Sequence, residues 1–467
     1  MNINPNTFDA IVVGSGPGGA SVARELTHMG QSVLILERGD NNPVKGTITQ
    51  MVPQAMVPGK CMLVTHEGLG IVRGITTGGS SQFYCATAFD PPFDMLIRHG
   101  VDITGEVAEI RQEIPNAPLS DELMSPAGVC FERSALELGY DCHRLSKLIF
   151  QSQCLPDCQR CLYGCPAGAK WSARHFVNEA VENGAAIING ARVDRVIIEN
   201  QSAVGVEYLH EKERRQAFAS RVIVAAGGIG SPVILRKSGL TSAGYDFFFD
   251  PLIFVMGTVK TVVSGRGIAM CSGVHFEEDG IVMTDFNLPR LMKLMFDMSV
   301  FKFSQIFSYA SVVPIMIKVR DSLGGKVIND RMIWKGLTTA DKQKIDTGVA
   351  HARRILEHAG ATDVYRSWYL AAHPGGTAKI GEIVDANLKT EFDNLYVCDC
   401  SVVPEEWGLP PSLTLLALGK RLARHLMKPA ELTGRGAEMG KLSAAVMTFP
   451  TYRLVNGVTC RDNKLLE

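Results

Sequence analysis

The stretch FDAIVVGSGPGGASVARELTHMGQSVLILERG, residues Phe8 to Gly39, decides the fold of this chain. An apolar run from Ala10 to Val13 predicts a buried parallel strand, and a glycine turn follows it directly. A helical pattern from Ala20 to Met29 then leads to a second apolar run, Val33 to Leu36. A strand, a glycine turn, a helix and a second strand in this order are typical of a dinucleotide-binding unit.

The three glycines of the turn, Gly14, Gly16 and Gly19, have the spacing G-x-G-x-x-G. The first permits a tight turn, the second lets the backbone approach a pyrophosphate, and the third lets the helix pack on the strand. Glu37, at the end of the second strand, can accept a hydrogen bond from a ribose hydroxyl, and we expect Arg38 beside it to contact the same cofactor. These residues predict a bound dinucleotide, which could be FAD or NAD.

Size and charge restrict the function further. The chain has 467 residues, enough for two or three domains, and its formal net charge of −1 argues against binding to nucleic acid or to an anionic membrane surface. No apolar run approaches the roughly 20 residues of a membrane-spanning helix. The opening MNINPNTFDA is unlike a signal peptide, so we expect a cytoplasmic protein. Because a reducing compartment disfavours disulfides, the 12 cysteines indicate metal ligands among them.

Two later segments also contain glycine-rich turns. The run Gly78 to Ser81 offers a backbone-rich cradle for a cofactor ring or phosphate, although an ordinary turn uses the same residues. In RVIVAAGGIGSPVILRKSG, Arg221 to Gly239, a strand from Val222 to Ala226 runs into two glycines, and Ser231-Pro232 predicts the start of a helix. From these segments we expect cofactor contacts by Gly78, Gly79, Ser80, Ala226 and Gly227.

The run CLPDCQRCLYGCP places four cysteines at C-x3-C-x2-C-x3-C spacing, followed by proline. Four soft thiolates so close in sequence suit an iron–sulfur cluster, although a ferredoxin run is one residue shorter in the first gap. Zinc is the alternative, but structural zinc usually takes two ligand pairs that lie a dozen or more residues apart. We predict one 4Fe–4S cluster in segment 150–170, bound by Cys154, Cys158, Cys161 and Cys165.

From Phe247 to about Arg366 the chain changes character. Strand-like runs alternate with a Met-rich apolar segment, LMKLMFDMSVFKFSQIF, from Leu291 to Phe307. Apolar residues at helical spacing indicate core packing, and an apolar substrate pocket or an interfacial helix is the alternative. An amphipathic helix is predicted from Thr339 to Gly360.

The C-terminal third returns to glycine-rich punctuation with HPGGTAKIG, a strand from Leu395 to Cys398 that ends in Asp399, and the turn WGLPPS before a helix from Leu413. The order of GSGPGG (14–19), GGSS (78–81), AAGGIGSPVILRKSG (225–239) and this last region resembles the glucose–methanol–choline (GMC) family of FAD oxidoreductases. The resemblance covers most of the chain, and its motifs are specific when they occur together.

The resemblance implies an α/β fold (α+β overall), with a Rossmann-type FAD-binding domain and a smaller substrate domain that contains an antiparallel sheet. The FAD-binding domain would comprise 1–90, 168–245 and 370–430, the substrate domain 246–369, and a tail 430–467. The resemblance maps His373 onto the family's catalytic base, Asp399 onto a flavin-contacting acid, and Gly78-Gly79-Ser80 onto the flavin-proximal loop. We also expect Ser412 to contact the cofactor.

Two departures from the family pattern matter. Pro410 stands roughly where many members have a second His or Asn, so the partner of His373 is open. Oxidases of the family lack four clustered cysteines, whereas the anaerobic and long-chain-alcohol branch often carries such an insertion.

The expected activity is that of an FAD-dependent dehydrogenase acting on an alcohol, and the apolar stretch Leu291 to Phe307 favours an apolar one. His373 would take the hydroxyl proton and flavin the hydride, and electrons would leave through the cluster to a redox protein or quinone. A hetero-oligomer with the acceptor would suit such a relay. The alternatives are a flavin and iron–sulfur reductase or desaturase acting on C–C bonds, and a non-catalytic binding protein on the FAD fold.

Overall fold

The computed structural model describes residues 7–428, so the predicted tail 430–467 lies outside the described residues. Within this range the α-helices are α1 Pro17–His28, α2 Ile48–Met51, α3 Phe93–Arg98, α4 Thr104–Glu113, α5 Pro126–Glu137, α6 Arg174–Glu182, α7 Gly227–Lys237, α8 Arg290–Ser299, α9 Thr339–His358 and α10 Ser412–Met427. The strands are β1 Thr7–Phe8, β2 Ala10–Val13, β3 Val33–Glu37, β4 Met62–Val64, β5 Gly70–Val72, β6 Ala117–Pro118, β7 Cys142–Arg144, β8 Ser146–Lys147, β9 Ala186–Asn189, β10 Arg192–Glu199, β11 Ser202–His210, β12 Glu213–Ala219, β13 Val222–Val224, β14 Tyr245–Phe247, β15 Pro251–Thr258, β16 Ser272–Phe276, β17 Ile281–Asp285, β18 Val312–Val319, β19 Gly324–Val327, β20 Ile333–Trp334, β21 Thr362–Arg366, β22 Leu370–Ala371 and β23 Leu395–Val397.

A five-stranded parallel sheet in the order β23-β13-β2-β3-β9 forms the nucleotide-binding half. Its central strands are fully buried, as their unbroken apolar runs predict, because helices cover a parallel sheet on its faces. Helix α1 packs against α10 and α6. The sheet joins strands from the two ends and the middle of the chain, so three segments distant in sequence bring their carboxyl ends to one edge.

A nine-stranded sheet forms the second half, in the order β4-β5-β22-β15-β18-β17-β16-β7, with β21 paired to β15. Its pairs are antiparallel except for β22 with β5. Helices α5 and α9 pack on it. The predicted mixed α/β class, with a parallel nucleotide-binding sheet and an antiparallel second sheet, is confirmed.

Helix α7 begins one turn earlier than the sequence pattern predicts, at Gly227 instead of Ser231. The early start is possible because the carboxylate of Asp399 accepts the Gly227 N–H at 2.8 Å. Pro232 inside the helix cannot donate to the carbonyl of Gly228, and the hydroxyl of Thr377 donates to that oxygen instead, at 2.9 Å. Both partners come from distant segments, which a local pattern cannot reveal.

The prediction that Leu291 to Phe307 packs in the core is wrong for most of its apolar side chains. The segment forms α8 and a 3-10 helix, Phe303–Ser311. Phe296 is buried, but the large apolar residues exposed to solvent are Leu291, Met295, Met298, Phe301, Phe303 and Phe307. None of the helices between residues 7 and 428 combines the length and apolar character that crossing a membrane requires.

Candidate active site

A cavity of about 580 Å³ lies between the two sheets, a volume in the usual range for ligand sites. It is bordered by the carboxyl ends of β2, β3 and β13 and by side chains of β15 and β18. The sequence-predicted residues that line it are Gly14, Gly16, Glu37, Arg38, Gly79, Ser80, Ala226, Gly227, His373, Asp399 and Ser412. Gly19 and Gly78 are absent from the lining of this cavity.

The glycine turn fits the backbone conformation that its residues predict. Gly14 has φ +102°, and a Cβ there would overlap the carbonyl oxygen of Ala225 on the neighbouring strand. A Cβ at Gly19 would overlap the carbonyl oxygen of Gly14, so this glycine permits close packing of α1 on the turn. By contrast, a Cβ at Gly16 would meet no atom of the described chain within 4 Å, because it would project into open space. The turn therefore leaves room for a ligand directly in front of the α1 N-terminus.

Glu37 is buried at the end of β3 and its carboxylate holds the turn in place. It accepts the backbone N–H of Ser15 at 3.1 Å and that of Gly39 at 2.6 Å, and the Ser15 hydroxyl donates to it as well. Burial raises the pKa of Glu37, while these hydrogen bonds oppose that shift. The Ser15 hydroxyl also accepts the N–H of Gly78 at 3.1 Å. Ser15 thus links Glu37, the predicted acceptor for a ribose hydroxyl, to the predicted flavin-proximal loop.

Asp399 follows β23 and joins two of the predicted cofactor segments. Its Oδ2 accepts the Gly227 N–H at 2.8 Å and the Ser231 hydroxyl at 2.5 Å, and its Oδ1 accepts the N–H of Ser401 at 2.7 Å. Burial raises the pKa of Asp399 and these donors oppose the shift. The contacts fix the N-terminus of α7 against the cavity.

His373 lies on the loop after β22 with φ +48°, and its side chain is 29% exposed where it lines the cavity. Its Nδ1 is 3.1 Å from Oδ2 of Asp250, whose side chain is fully buried. Because a carboxylate can only accept, Nδ1 is the donor and Nε2 carries the lone pair. Burial, reinforced by the positive charge of Lys318, lowers the pKa of His373, and Asp250 opposes that shift. His373 is therefore neutral near pH 7.

Sequence reasoning missed two residues of this constellation, Asp250 and Lys318. Lys318, on β18, is 2% exposed, and its Nζ lies 3.5 Å from Oδ2 of Asp250. That Nζ is buried and has no well-formed hydrogen bond within residues 7–428, and Lys318 is among the residues that line the cavity. Burial lowers the pKa of Lys318 to about 8, and Asp250 opposes the shift. The available signal was one lysine in the otherwise apolar strand VVPIMIKV.

Asp250 also holds the turn that contains Pro410. Its Oδ1 accepts the backbone N–H of Gly408 at 2.8 Å. Pro410 lines the cavity, as the resemblance implies for this position, but contributes no polar side-chain atom. The polar groups around His373 therefore come from Asp250 and Lys318 of the antiparallel sheet region.

The rest of the cavity on the side of the nine-stranded sheet is apolar. Phe254 packs against two tilted rings, at 4.8 Å between ring centroids for Phe286 and 5.4 Å for Phe296. The apolar side chains that line this part are Leu252, Phe254, Met270, Phe286, Met292, Met316 and Leu370. This chamber favours a ligand with an apolar body and a polar end near His373.

The segment that carries Cys154, Cys158, Cys161 and Cys165, here called the cysteine loop, lies beside the same cavity. Its residue Leu162 lines the cavity, and the buried Lys170 donates to the carbonyl oxygens of Cys161 at 2.6 Å and Gln82 at 2.7 Å. The loop is thereby joined to the residues after the GGSS segment. Among the described residues, no three His, Cys, Asp or Glu side chains are arranged to hold a metal ion. The binding of metal by Cys154, Cys158, Cys161 and Cys165 therefore stays a prediction.

Comparison with known protein families decides the identity of this scaffold. Two models, both described as GMC oxidoreductase, match residues 120–250 and 334–419. The chain belongs to the GMC oxidoreductase family. It is therefore an oxidoreductase, and membership of this family supports FAD as the cofactor of the cavity described above.

Similar proteins align with nearly the whole chain. An uncharacterized protein of Methanocaldococcus jannaschii is 26% identical over 427 residues, which cover 90% of this chain and 100% of that protein. A long-chain-alcohol oxidase of Arabidopsis thaliana is 24% identical, over 90% of this chain and 67% of that protein.

Solved structures share the same fold. Pyridoxine 4-oxidase from Mesorbium loti aligns with a TM-score of 0.71 and 17% identity, over 91% of this chain and 100% of that one. Formate oxidase from Aspergillus oryzae aligns with a TM-score of 0.70 and 15% identity, over 90% of this chain and 98% of that one.

Proposed function

We propose that this protein is an FAD-dependent dehydrogenase that oxidises an apolar alcohol, with His373 as the general base. The observation that carries the proposal is the position of His373, which is held by Asp250 and borders the cavity that the glycine turn also borders. The named long-chain-alcohol oxidase among the relatives supports an alcohol as substrate.

The residues of the cavity fit FAD. The open space in front of Gly16, the unpaired N–H groups at the start of α1 and the buried carboxylate of Glu37 suit a pyrophosphate and a ribose. Asp399 and the N-terminus of α7 would face the ring system together with Gly79 and Ser80. When bound, FAD supplies the acceptor for the hydride of the alcohol carbon.

His373 would accept the hydroxyl proton of the alcohol. Asp250 fixes the ring so that Nε2 is the free nitrogen, and the lowered pKa keeps that nitrogen unprotonated at neutral pH. A base held in this way contributes roughly 100- to 10,000-fold to the rate.

Lys318 supplies the second polar group that Pro410 cannot provide. Lys318 lines the cavity, and the weak contact of its buried ammonium with Asp250 leaves N–H donors unused. We assign these donors to the oxygen of the substrate, where they would stabilise the negative charge that develops as His373 takes the proton. A donor pre-positioned in a buried site is worth more than one in water.

The apolar chamber determines the substrate class in this proposal. A chain of CH₂ groups would contact Phe254, Met292 and Met316, while the hydroxyl would lie near His373. A small hydrophilic alcohol would leave these side chains facing water, so we expect an alcohol with a hydrocarbon chain or ring to be preferred.

We further propose that the cysteine loop binds a 4Fe–4S cluster. Lys170 is 3% exposed. Its Nζ donates only to carbonyl oxygens and has no carboxylate partner within residues 7–428. A buried cation without an anion is costly, and thiolates beside it would compensate its charge. Zinc would draw its thiolates to within about 2.3 Å of one point, whereas a cubane binds each thiolate at a different iron. When bound, a cluster supplies one-electron transfer beside the cavity, which favours a dehydrogenase over an oxidase.

The proposal is tested by turnover under air and under nitrogen. Purified protein is given long-chain primary alcohols, with either oxygen or a dye as electron acceptor, and aldehyde is measured. We expect dye reduction without appreciable oxygen consumption. Turnover with oxygen alone would make the protein an oxidase, and reduction of alkenes without alcohol turnover would favour the C–C alternative.

A further inference from the structure

The segment from α8 through the 3-10 helix Phe303–Ser311 is here called the apolar cap. It buries two charged side chains and exposes large apolar ones, the reverse of an ordinary surface helix. Its charged pair points inward: Lys293 and Asp297 are buried and form an ion pair at 2.5 Å. Tyr365 donates to Asp297 at 2.5 Å and Lys293 donates to the carbonyl of Gln305 at 2.6 Å. The contact with Tyr365 anchors the cap to β21 of the sheet, and the contact with Gln305 joins the two helices of the cap.

The outward face of the cap is apolar and unusually exposed. Leu291, Met295 and Met298 follow each other at helical spacing and are 43–53% exposed. Phe301 and Phe307, beyond them, are 80% and 93% exposed. Large aromatic side chains left in water in a contiguous set mark an interaction surface, because single exposed apolar residues are ordinary and clusters are not.

The exposed charges of the cap and of the loop beside it have one sign. The loop 259–271 lies against the cap, where Ser264 donates to the carbonyl of Ala310 at 2.7 Å. Cap and loop together expose four cations, Lys260, Arg266, Arg290 and Lys302. The single acid of residues 259–271 and 286–311 is Asp297, which is buried. The whole-chain charge of −1, which argued against an anionic membrane surface, conceals this local excess.

We propose that the apolar cap docks on the surface of a lipid bilayer that contains anionic headgroups. Exposed phenylalanines would enter the boundary between headgroups and acyl chains, and the flanking cations would contact lipid phosphates. A second copy of the chain fits less well, because a two-fold interface would bring the same cations of both copies together.

The cap also connects the membrane surface to the cavity. Met292, on the inner side of α8, lines the apolar chamber. Phe296 packs against Phe254, which also lines the chamber. If the proposed function holds, docking would place the chamber next to the bilayer in which an apolar alcohol dissolves. This consequence rests on the proposed function, whereas docking itself does not.

Docking is tested by sedimentation of the full-length, flavin-loaded protein with vesicles of phosphatidylcholine alone or mixed with phosphatidylglycerol. We expect binding to the mixed vesicles, weakened by salt, and about tenfold or more weaker partition for the double variant Phe303→Ser and Phe307→Ser. The matched control is Val129→Ser with Leu136→Ser, two residues exposed on α5, which should bind like the unmodified protein.

Three results would overturn the proposal. In the first, the unmodified protein binds neither vesicle type. In the second, the cap variant binds vesicles as well as the control does. In the third, the protein forms a larger species in solution that the cap variant abolishes, with no vesicle binding, and the cap is then an interface between copies. Turnover of an alcohol that has a hydrocarbon chain or ring but still dissolves in water, measured without vesicles, tests the proposed function separately.

Discussion

Nδ1 of His373 lies 3.1 Å from Oδ2 of Asp250, a residue more than a hundred positions earlier in the chain. The same carboxylate oxygen lies 3.5 Å from the ammonium of Lys318. Asp250 thus orients the ring through one contact and retains a buried cation through the other. The imidazole experiences both charges, and burial together with the charge of Lys318 keeps it neutral despite the carboxylate beside it.

Replacing His373 by alanine should lower kcat by about 100- to 10,000-fold, because the base is lost. The flavin content should stay unchanged, since the predicted phosphate and ribose contacts lie on other elements. Steady-state turnover with a dye acceptor and the absorbance of bound flavin give the two readouts. His275→Ala, an exposed histidine on β16, serves as the control. Near-normal turnover of the His373 variant would remove it from the mechanism.

Replacing Lys318 by methionine should change the pH dependence. On the acid side, the unmodified enzyme should lose kcat/KM as pH falls below the pKa of His373, which is lowered below its usual range. Removal of the Lys318 charge leaves Asp250 to stabilise the imidazolium, so the acid limb should move to higher pH. Cys400, the other ionisable group that faces Lys318, stays neutral because burial raises its pKa well above the usual range.

The measurement is the pH profile of kcat/KM for flavin-loaded protein. Because removing one partner of a buried ion pair destabilises a fold, Lys318→Gln is measured beside Lys318→Met. An acid limb that stays in place in a folded variant would show that Lys318 does not act on His373.

Gly16→Ala should separate cofactor binding from folding. Its Cβ would meet no described atom within 4 Å, so the fold should survive, but the side chain would project where the pyrophosphate should approach. FAD affinity should fall about tenfold or more. Gly105→Ala on α4, which also has open space, should keep its FAD affinity and gain roughly 0.4–1 kcal/mol of stability. Equal FAD affinity in both variants would place the pyrophosphate elsewhere. Isothermal titration of the apoprotein with FAD gives the affinities, and thermal unfolding gives the stability.

The cysteine loop gives a prediction that does not depend on turnover. Protein prepared without oxygen should contain roughly four irons and four acid-labile sulfides per FAD. Cys161→Ser should lose most of both, while Cys142→Ser, a buried cysteine on β7, should keep them. Zinc in their place, or no metal at all, would refute the cluster.

The sequence was sufficient for the parts of the site that depend on local spacing. The glycine turn and Glu37 could be predicted because each lies at a fixed place relative to a strand end, whereas Asp399 and His373 were implied by the family resemblance. Asp250 and Lys318 could not, because their meeting depends on the pairing of β15 with β18, in which Leu252 faces Lys318. A single charged residue in a fully buried strand was the only hint, and it does not reveal its partner.

The apolar cap shows a different limit. The spacing of its apolar residues indicated a helix, and α8 is one, but periodicity does not say which side faces the core. The deciding contacts, Asp297 with Tyr365 and Lys293 with Gln305, join residues that the pattern treats as surface.

The central claim is that an alcohol passes its hydride to flavin in the cavity beside His373. Its most direct test is to mix the oxidised protein under nitrogen with a long-chain primary alcohol and with the same alcohol deuterated at C1, and to follow the flavin absorbance. We predict bleaching with both, slower for the deuterated alcohol. A flavin that stays oxidised with every alcohol offered, yet is bleached by a chemical reductant, would contradict the account.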